Sequence, residues 1–315
     1  MLPGSSPQGV FLGILIFLII FNGALLRPAI PWLKSLNLKY IDDLSMLAAF
    51  NLKYSLTVDP VARYKPLNKN ERTQQILPVH KNHLQEDLIS LQSYVQRKQL
   101  KIKEKKTEVM KFNFSNNLDF PPELNIQGFS DIIQVTSETK LLGVIVTDDL
   151  KWEANTNYIC TKAYKKMWIL RRMKVIDVDA YIMLDVYTKE IRSVLELAVP
   201  AWHSALTQKQ IATIERVQKV AVSIILSDSI TGKNEYSYDM GLVILDIEPL
   251  EERRFKICRN FAKKTLKSRH ADIFKENPIH YQTRLRSKFF TNKCNTETFF
   301  NSPINYLTRI LNDEE

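Results

Sequence analysis

The stretch Lys39-Tyr40-Ile41-Asp42-Asp43-Leu44-Ser45-Met46 limits what this chain can fold into more than any other. Leu36, Leu38 and Tyr40 alternate with polar residues before it, and Leu44, Met46 and Ala48 alternate after it. Period-two runs separated by two residues of turn chemistry predict a β-hairpin with both carboxylates at its tip, because aspartate tolerates turn backbone. Adjacent carboxylates repel each other unless a proton or a cation neutralises them. The pair is therefore either a solvated surface turn or a seat for a hard divalent ion. Mg2+ is often held by one or two carboxylates together with substrate phosphates.

Charge narrows the class of partner. Among 315 residues, 44 are Lys or Arg and 34 are Asp or Glu, a formal charge of +10. That excess favours a polyanion, nucleic acid first and an anionic membrane surface second. A hydrophobic share of 45% with 25% charged residues is that of a folded globular chain, which excludes a disordered one. Cys160, Cys258 and Cys294 are scattered and odd in number. They build neither a disulfide framework nor a Cys/His metal spacing, so an intracellular compartment, cytoplasm or nucleus, is expected rather than secretion.

Val10 to Phe21 is an unbroken apolar run, roughly half of what a spanning helix needs. No positive charge precedes it, Arg27 being the first basic residue, so a buried helix is expected over a signal or anchor. Pro28 and Pro31 interrupt the chain before the hairpin, and residues 51–80, with Pro60, Pro66 and Pro78, read as a surface insertion. Leu84, Leu88, Leu91 and Val95 predict a helix over 83–99, followed by a basic-faced strand over 101–112 and a turn at Pro121-Pro122. Residues 140–147 read as one strand, ending in an ordinary turn at Asp148-Asp149.

Helices dominate from there. Ala163, Met167 and Leu170 mark one face of a helix over 154–174. Lys162, Lys165, Lys166, Arg171, Arg172 and Lys174 supply a set of cations with no acidic residue among them. Met183, Tyr187, Ile191 and Val194 predict a second helix over 178–198, ending before Pro200. Thr207 with Gln210 is a capping-box pattern opening a third, apolar at Ile211, Ile214, Val217, Ala221 and Ile225. A fourth, over 249–267, combines Leu250, Ile257 and Phe261 with eight basic residues between Arg253 and Arg269. The last forty-odd residues carry no periodic signal. Trp152, Trp168 and Trp202 are expected to pack in the core or between helices rather than stack on bases. His80 and His83 lack further metal ligands nearby, and His203 and His270 are expected at the surface or an interface.

Taken in order, several stretches resemble the reverse transcriptases of retrotransposons lacking long terminal repeats. Ser6-Pro7-Gln8-Gly9, followed by Gly13, Leu15, Phe17 and Asn22, is similar to the family's template- and nucleotide-contacting loop and helix. Tyr40-Ile41-Asp42-Asp43 resembles its metal-binding hairpin. Lys106-Thr107 with Met110 and Phe112 resembles the next palm motif, although Lys103 stands where the family usually has Asn. Residues 140–144 through Leu150-Lys151-Trp152 resemble the primer-grip strand. Lys162-Ala163 with Leu170-Arg171-Arg172-Met173-Lys174 resembles the first thumb helix. Pro200-Ala201-Trp202-His203-Ser204 and Ile214-Glu215-Arg216-Val217-Gln218-Lys219 resemble downstream segments of the same polyproteins.

The resemblance implies an α+β fold: an incomplete polymerase palm over 1–150, thumb helices over 151–205 and a basic helical region over 206–315. It implies RNA-directed DNA polymerase chemistry with Mg2+ on Asp42 and Asp43, and Lys106 at the triphosphate. Ser6, Pro7, Gln8, Gly9 and Tyr40 would meet nucleotide and template, and Leu142 and Gly143 the primer. Lys162, Lys165, Lys166, Arg171, Arg172 and Lys174 would hold the nucleic-acid backbone. The implied partners are RNA template, DNA primer and dNTP, with no membrane. The family's fingers and first palm carboxylate precede the Pro-Gln-Gly loop, where this chain begins. The expectation is thus a truncated enzyme, inactive alone and in need of an upstream fingers and palm segment. The alternatives are a non-catalytic nucleic-acid-binding remnant and, behind it, a membrane-anchored protein.

Overall fold

The computed structural model describes residues 36–40, 43–47, 89, 93, 107–110, 112, 123–124, 133–228, 236–268, 270–277 and 288–313. They are mostly helical with a few short strands, an α+β composition. The chain divides into two compact units, one of residues 25–139 and one of residues 140–315 with 1–24. The expected apolar helix at Val10 to Phe21 and the insertion at 51–80 lie outside the described residues, as does most of the helix expected over 83–99. Ile89 and Ser93 of that segment are helical, with the Ser93 hydroxyl donating to the Ile89 carbonyl over 3.0 Å.

In the first unit the expected hairpin forms, β1 (Leu36–Tyr40) running antiparallel to β2 (Asp43–Leu47). Tyr40 pairs with Asp43 and Leu36 with Leu47, so even positions of β1 oppose odd positions of β2. Positions Leu36, Leu38 and Tyr40 therefore fall on the opposite face of the ribbon from Leu44 and Met46, because cross-strand partners share a face. Asp43 opens β2 rather than standing beyond it. A small sheet of β3 (Val109–Met110), β4 (Glu123–Leu124) and β5 (Ile133–Thr136) has β5 at its centre, parallel to β3 and antiparallel to β4.

The single strand expected over 140–147 is two strands: β6 (Glu138–Leu141) and β7 (Val144–Thr147) pair across the turn Leu142-Gly143. Both turn residues have positive φ, 48° and 90°, the pattern that matches the twist of a two-residue hairpin. Gly143 supplies the second at no steric cost, and a Cβ there would meet Leu197 Cδ2 at 3.0 Å. Asp148-Asp149 is the surface turn expected. Asp149 accepts from the Thr147 hydroxyl (2.8 Å) and the Lys151 backbone N–H (2.9 Å) and pairs with the Lys151 ammonium (3.2 Å).

The helices of the second unit follow the sequence pattern closely. Helix α1 (Glu153–Val175) buries Ala163, Met167 and Leu170. Next, α2 (Ala180–Val186) runs through a wide π-helical turn (Tyr187–Arg192) into α3 (Ser193–Leu195). Met183, Tyr187 and Ile191 are buried as expected, but the row continues at Leu195 rather than Val194. The wider turn takes up an extra residue and moves the face by one position. Short α4 (Val199–Trp202) leads to α5 (Gln208–Leu226), where the capping box is complete. The Gln210 side chain accepts from the Thr207 N–H (2.7 Å), and the Thr207 hydroxyl accepts from the Gln210 N–H (3.3 Å). Then come α6 (Tyr238–Leu245), α7 (Leu250–Leu266), α8 (Glu297–Phe300) and α9 (Pro303–Asn312). α5 packs on α1, and α9 covers α7 with Leu307 at its centre.

A polar network ties these helices together. The Tyr187 hydroxyl donates to Gln218 Oε1 (2.6 Å), and the Gln218 amide donates to the Glu248 carbonyl (2.9 Å) and to Tyr238 (3.1 Å). Tyr238 donates in turn to Glu215, which also accepts from the Leu250 N–H at 3.0 Å. Pro249 offers α7 no side-chain cap, so a carboxylate from α5 satisfies its first turn and complements its dipole. Burial pushes both the Tyr187 and Tyr238 phenols well above their ordinary range.

Gly241 marks the close approach of α6 to α5. A Cβ there would stand 2.5 Å from Val222 Cγ1 and 3.2 Å from Leu226 Cδ1. Val222 is buried and stiff at χ1, so the clash cannot be relieved cheaply. Gly241→Ala is expected to lower stability by about 1–3 kcal/mol, seen as a lower urea midpoint at unchanged m-value.

His203, expected at the surface or an interface, lies between helices. It is half-buried, edge-on to Tyr306 (5.7 Å), and its Nδ1 accepts from Arg254 Nε at 3.4 Å. Arg254 itself is 1% exposed, although it belongs to the basic set that the sequence places on α7. Burial, and then the Arg254 charge, lower the His203 pKa to about 4. Above pH ~6.5 the imidazole is neutral in folded and unfolded chains alike and contributes nothing. Between there and the folded value of about 4 only the unfolded chain takes up the proton, so stability falls as the pH drops. The loss amounts to roughly 3 kcal/mol. Urea unfolding at pH 7 and pH 4 should show it, and His203→Gln should lose less over the same interval.

Candidate nucleic-acid interface

Helix α1 is 23 residues long, about 35 Å at 1.5 Å per residue. Its acidic first-turn residue, Glu153, and its last-turn cations, Arg172 and Lys174, both suit the helix dipole. Thr156, Ile159, Ala163, Met167 and Leu170 form the buried row that fixes the rotation of the helix. Everything about a third of a turn or more away from that row faces solvent.

The six cations expected to hold nucleic acid divide on this basis. Lys162, Lys165, Arg171 and Arg172 are exposed. Lys166 pairs with Glu190 at 2.7 Å, and Lys174 donates to the Ile225 carbonyl at the end of α5 over 3.1 Å. Those two hold helices together. Glu153 is the only acidic residue on α1, so the exposed face is of one sign over most of its length.

Trp168 lies on the same face, 60% exposed, between Lys165 one turn before and Arg172 one turn after. The expectation that it packs in the core fails. Trp152 and Trp202 do pack, at 4% and 0% exposed, with the Trp202 indole donating to the Leu197 carbonyl over 2.9 Å. Helical spacing accounts for Trp168. Trp168 follows Met167 by one residue and so stands about 100° off the buried row.

The basic set on α7 is used differently. Arg253 pairs with Glu196, Lys256 pairs with Glu248, and Arg254 is buried. Lys264 and Lys267 are exposed. α7 is thus partly a structural cationic helix, whereas α1 presents its charges outward.

Of the remaining site candidates, Asp42, Lys106, Ser6, Pro7, Gln8 and Gly9 lie outside the described residues. Tyr40 and Asp43 are cross-strand partners in the β1–β2 hairpin. Leu142 and Gly143 form the turn of the β6–β7 hairpin. Among the described residues no group of three or more His, Cys, Asp and Glu is placed to hold a metal ion, and no helix is long and apolar enough to cross a membrane. The second aspartate pair offers no cation seat, since Asp149 is taken by Thr147 and Lys151. No protein-family model, curated protein or solved structure matches the chain.

Proposed function

We propose that the chain is part of an RNA-directed DNA polymerase of the non-long-terminal-repeat retrotransposon type. In this role α1 serves as the thumb helix that grips the backbone of a primed template. The observation that carries the proposal is the outward face of α1: Lys162, Lys165, Arg171 and Arg172 exposed, with no carboxylate near them on the helix and Trp168 among them. Such a face binds phosphate irrespective of sequence, and its aromatic offers a base or a sugar a flat apolar surface. The β1–β2 hairpin, with Tyr40 opposite Asp43, agrees with the metal-binding hairpin of the resemblance. There Asp42 and Asp43 would hold Mg2+, which would polarise the attacking hydroxyl and stabilise the leaving pyrophosphate.

The test is titration of the full chain against a labelled RNA template–DNA primer at several salt concentrations. Binding that weakens steeply with salt and ignores sequence is the expected result. Binding that is absent, or indifferent to salt, overturns the proposal.

A second function, non-catalytic nucleic-acid binding, is favoured by one observation: the cationic face and the core that orients it both belong to residues 140–315. Primer extension with Mg2+ by the chain, abolished by Asp42→Ala, decides for the polymerase. Because the truncated enzyme is expected to be inactive alone, binding without extension decides for the module only when an upstream fingers and palm segment has been supplied.

A further inference from the structure

We propose that Lys140, Tyr158 and Lys162 together form a seat for one backbone phosphate, at the β6–β7 end of the cationic face of α1. The seat rests on the nucleic-acid role proposed above and assigns residues to it that the sequence did not. Lys140 comes from β6, whereas Tyr158 and Lys162 are one turn apart on α1. The Lys140 ammonium stands 4.8 Å from the Tyr158 ring centroid, and the Lys162 ammonium stands 6.0 Å from the same centroid. The placement is held by the fold. β7 packs on α1, and the Ile145 N–H donates to Asn155 Oδ1 over 3.1 Å, with Asn155 1% exposed.

Two ammonium groups brought to one phenol repel each other unless an anion comes between them. Among the described residues neither lysine has an ion-pair partner, and the charged groups acting on Tyr158 are these two lysines alone. Lys140, and after it Lys162, hold the phenol below its ordinary range, which marks the local potential as positive. Two ammonium groups within 6.0 Å of one phenol ring, with its hydroxyl beside them, supply the charge and the donors that the free oxygens of a phosphodiester take up.

The repeat of the cations points to a backbone rather than a lone phosphate. Tyr158, Lys162, Lys165 and Arg172 fall at i, i+4, i+7 and i+14, one stripe of the helix. The stripe spans about 21 Å at 1.5 Å per residue, room for several consecutive phosphates. A repeating row of cations matches a repeating anion.

The test uses the full chain and a labelled RNA–DNA template–primer in which a single methylphosphonate is moved along the backbone. Wild type should lose affinity at one phosphate position that Lys140→Met no longer senses, its response at the other positions being unchanged. Lys140→Met should weaken binding about threefold to tenfold and reduce the salt slope by about one, and Lys140→Arg should restore the slope. Tyr158→Phe keeps the ring but removes the O–H, so affinity should fall while the slope holds. Lys165→Met is the reference. If it weakens binding and Lys140→Met does not, the seat is wrong and the nucleic-acid role stands. If neither does, both fall. Inorganic phosphate at low millimolar concentration displacing the duplex from wild type but not from Lys140→Met would make this a free-anion site and overturn the assignment to backbone.

Discussion

Replacing Lys162, Lys165 and Arg172 with alanine in one chain is expected to make the salt dependence of template–primer binding shallower by about three in slope. Each phosphate contact contributes about −0.9 to the slope of log Kobs against log salt, so three lost contacts remove about 2.7. At ~0.1 M salt the same arithmetic gives a loss of affinity of about 10²–10³-fold. All three side chains are exposed, so folding should be nearly unaffected. Lys166→Ala is the internal control. It removes one surface pair with Glu190, which should change stability by about 0.5 kcal/mol or less and leave the slope alone. A triple variant with the parental slope would show that the face of α1 does not meet phosphate.

Two tryptophans should respond in opposite ways to the same substitution. Trp202 is fully buried and hydrogen-bonded, so Trp202→Ala should cost about 3–5 kcal/mol and bring the melting temperature down sharply. Trp168 is 60% exposed, and Trp168→Ala should shift stability by about 0.5 kcal/mol or less. Its effect belongs in binding: a stacked base contributes about 1–3 kcal/mol, so single-stranded overhangs should bind about 5–150-fold more weakly. Thermal unfolding and fluorescence anisotropy on the two variants separate the roles. A Trp168→Ala chain that melts early yet binds normally would return this residue to the core.

What the sequence disclosed and what it hid divide along physical lines. The Thr207–Gln210 box and the Ala163–Met167–Leu170 row were readable because both depend on contacts within a single turn or two of helix. The face-splitting of β1 and β2 was not, since the pattern of each strand says nothing about which of two registers pairs them. Leu195 displaced Val194 because a π-turn changes the period midway through a helix. The strand expected over 140–147 broke in two because Leu142 adopts a conformation that its residue type disfavours.

Cation counts misled in the same manner. Arg254, Lys166 and Lys174 look identical to Lys165 or Arg172 in a composition, yet their partners sit far away in the chain: His203, Glu190 and the Ile225 carbonyl. Charge tells that a polyanion is welcome. Only tertiary neighbours tell which charges remain to greet it.

Glu215 makes the start of one helix depend on another. α7 has no capping side chain of its own, and the group that satisfies its first amide is borrowed from a helix some thirty-five positions earlier. Until α5 has docked, that amide has only water to turn to and the turn has little reason to persist. α7, and α9 which lies upon it, thus draw part of their stability from α5: the C-terminal helices inherit their footing from one that closes its own N-terminal end unaided.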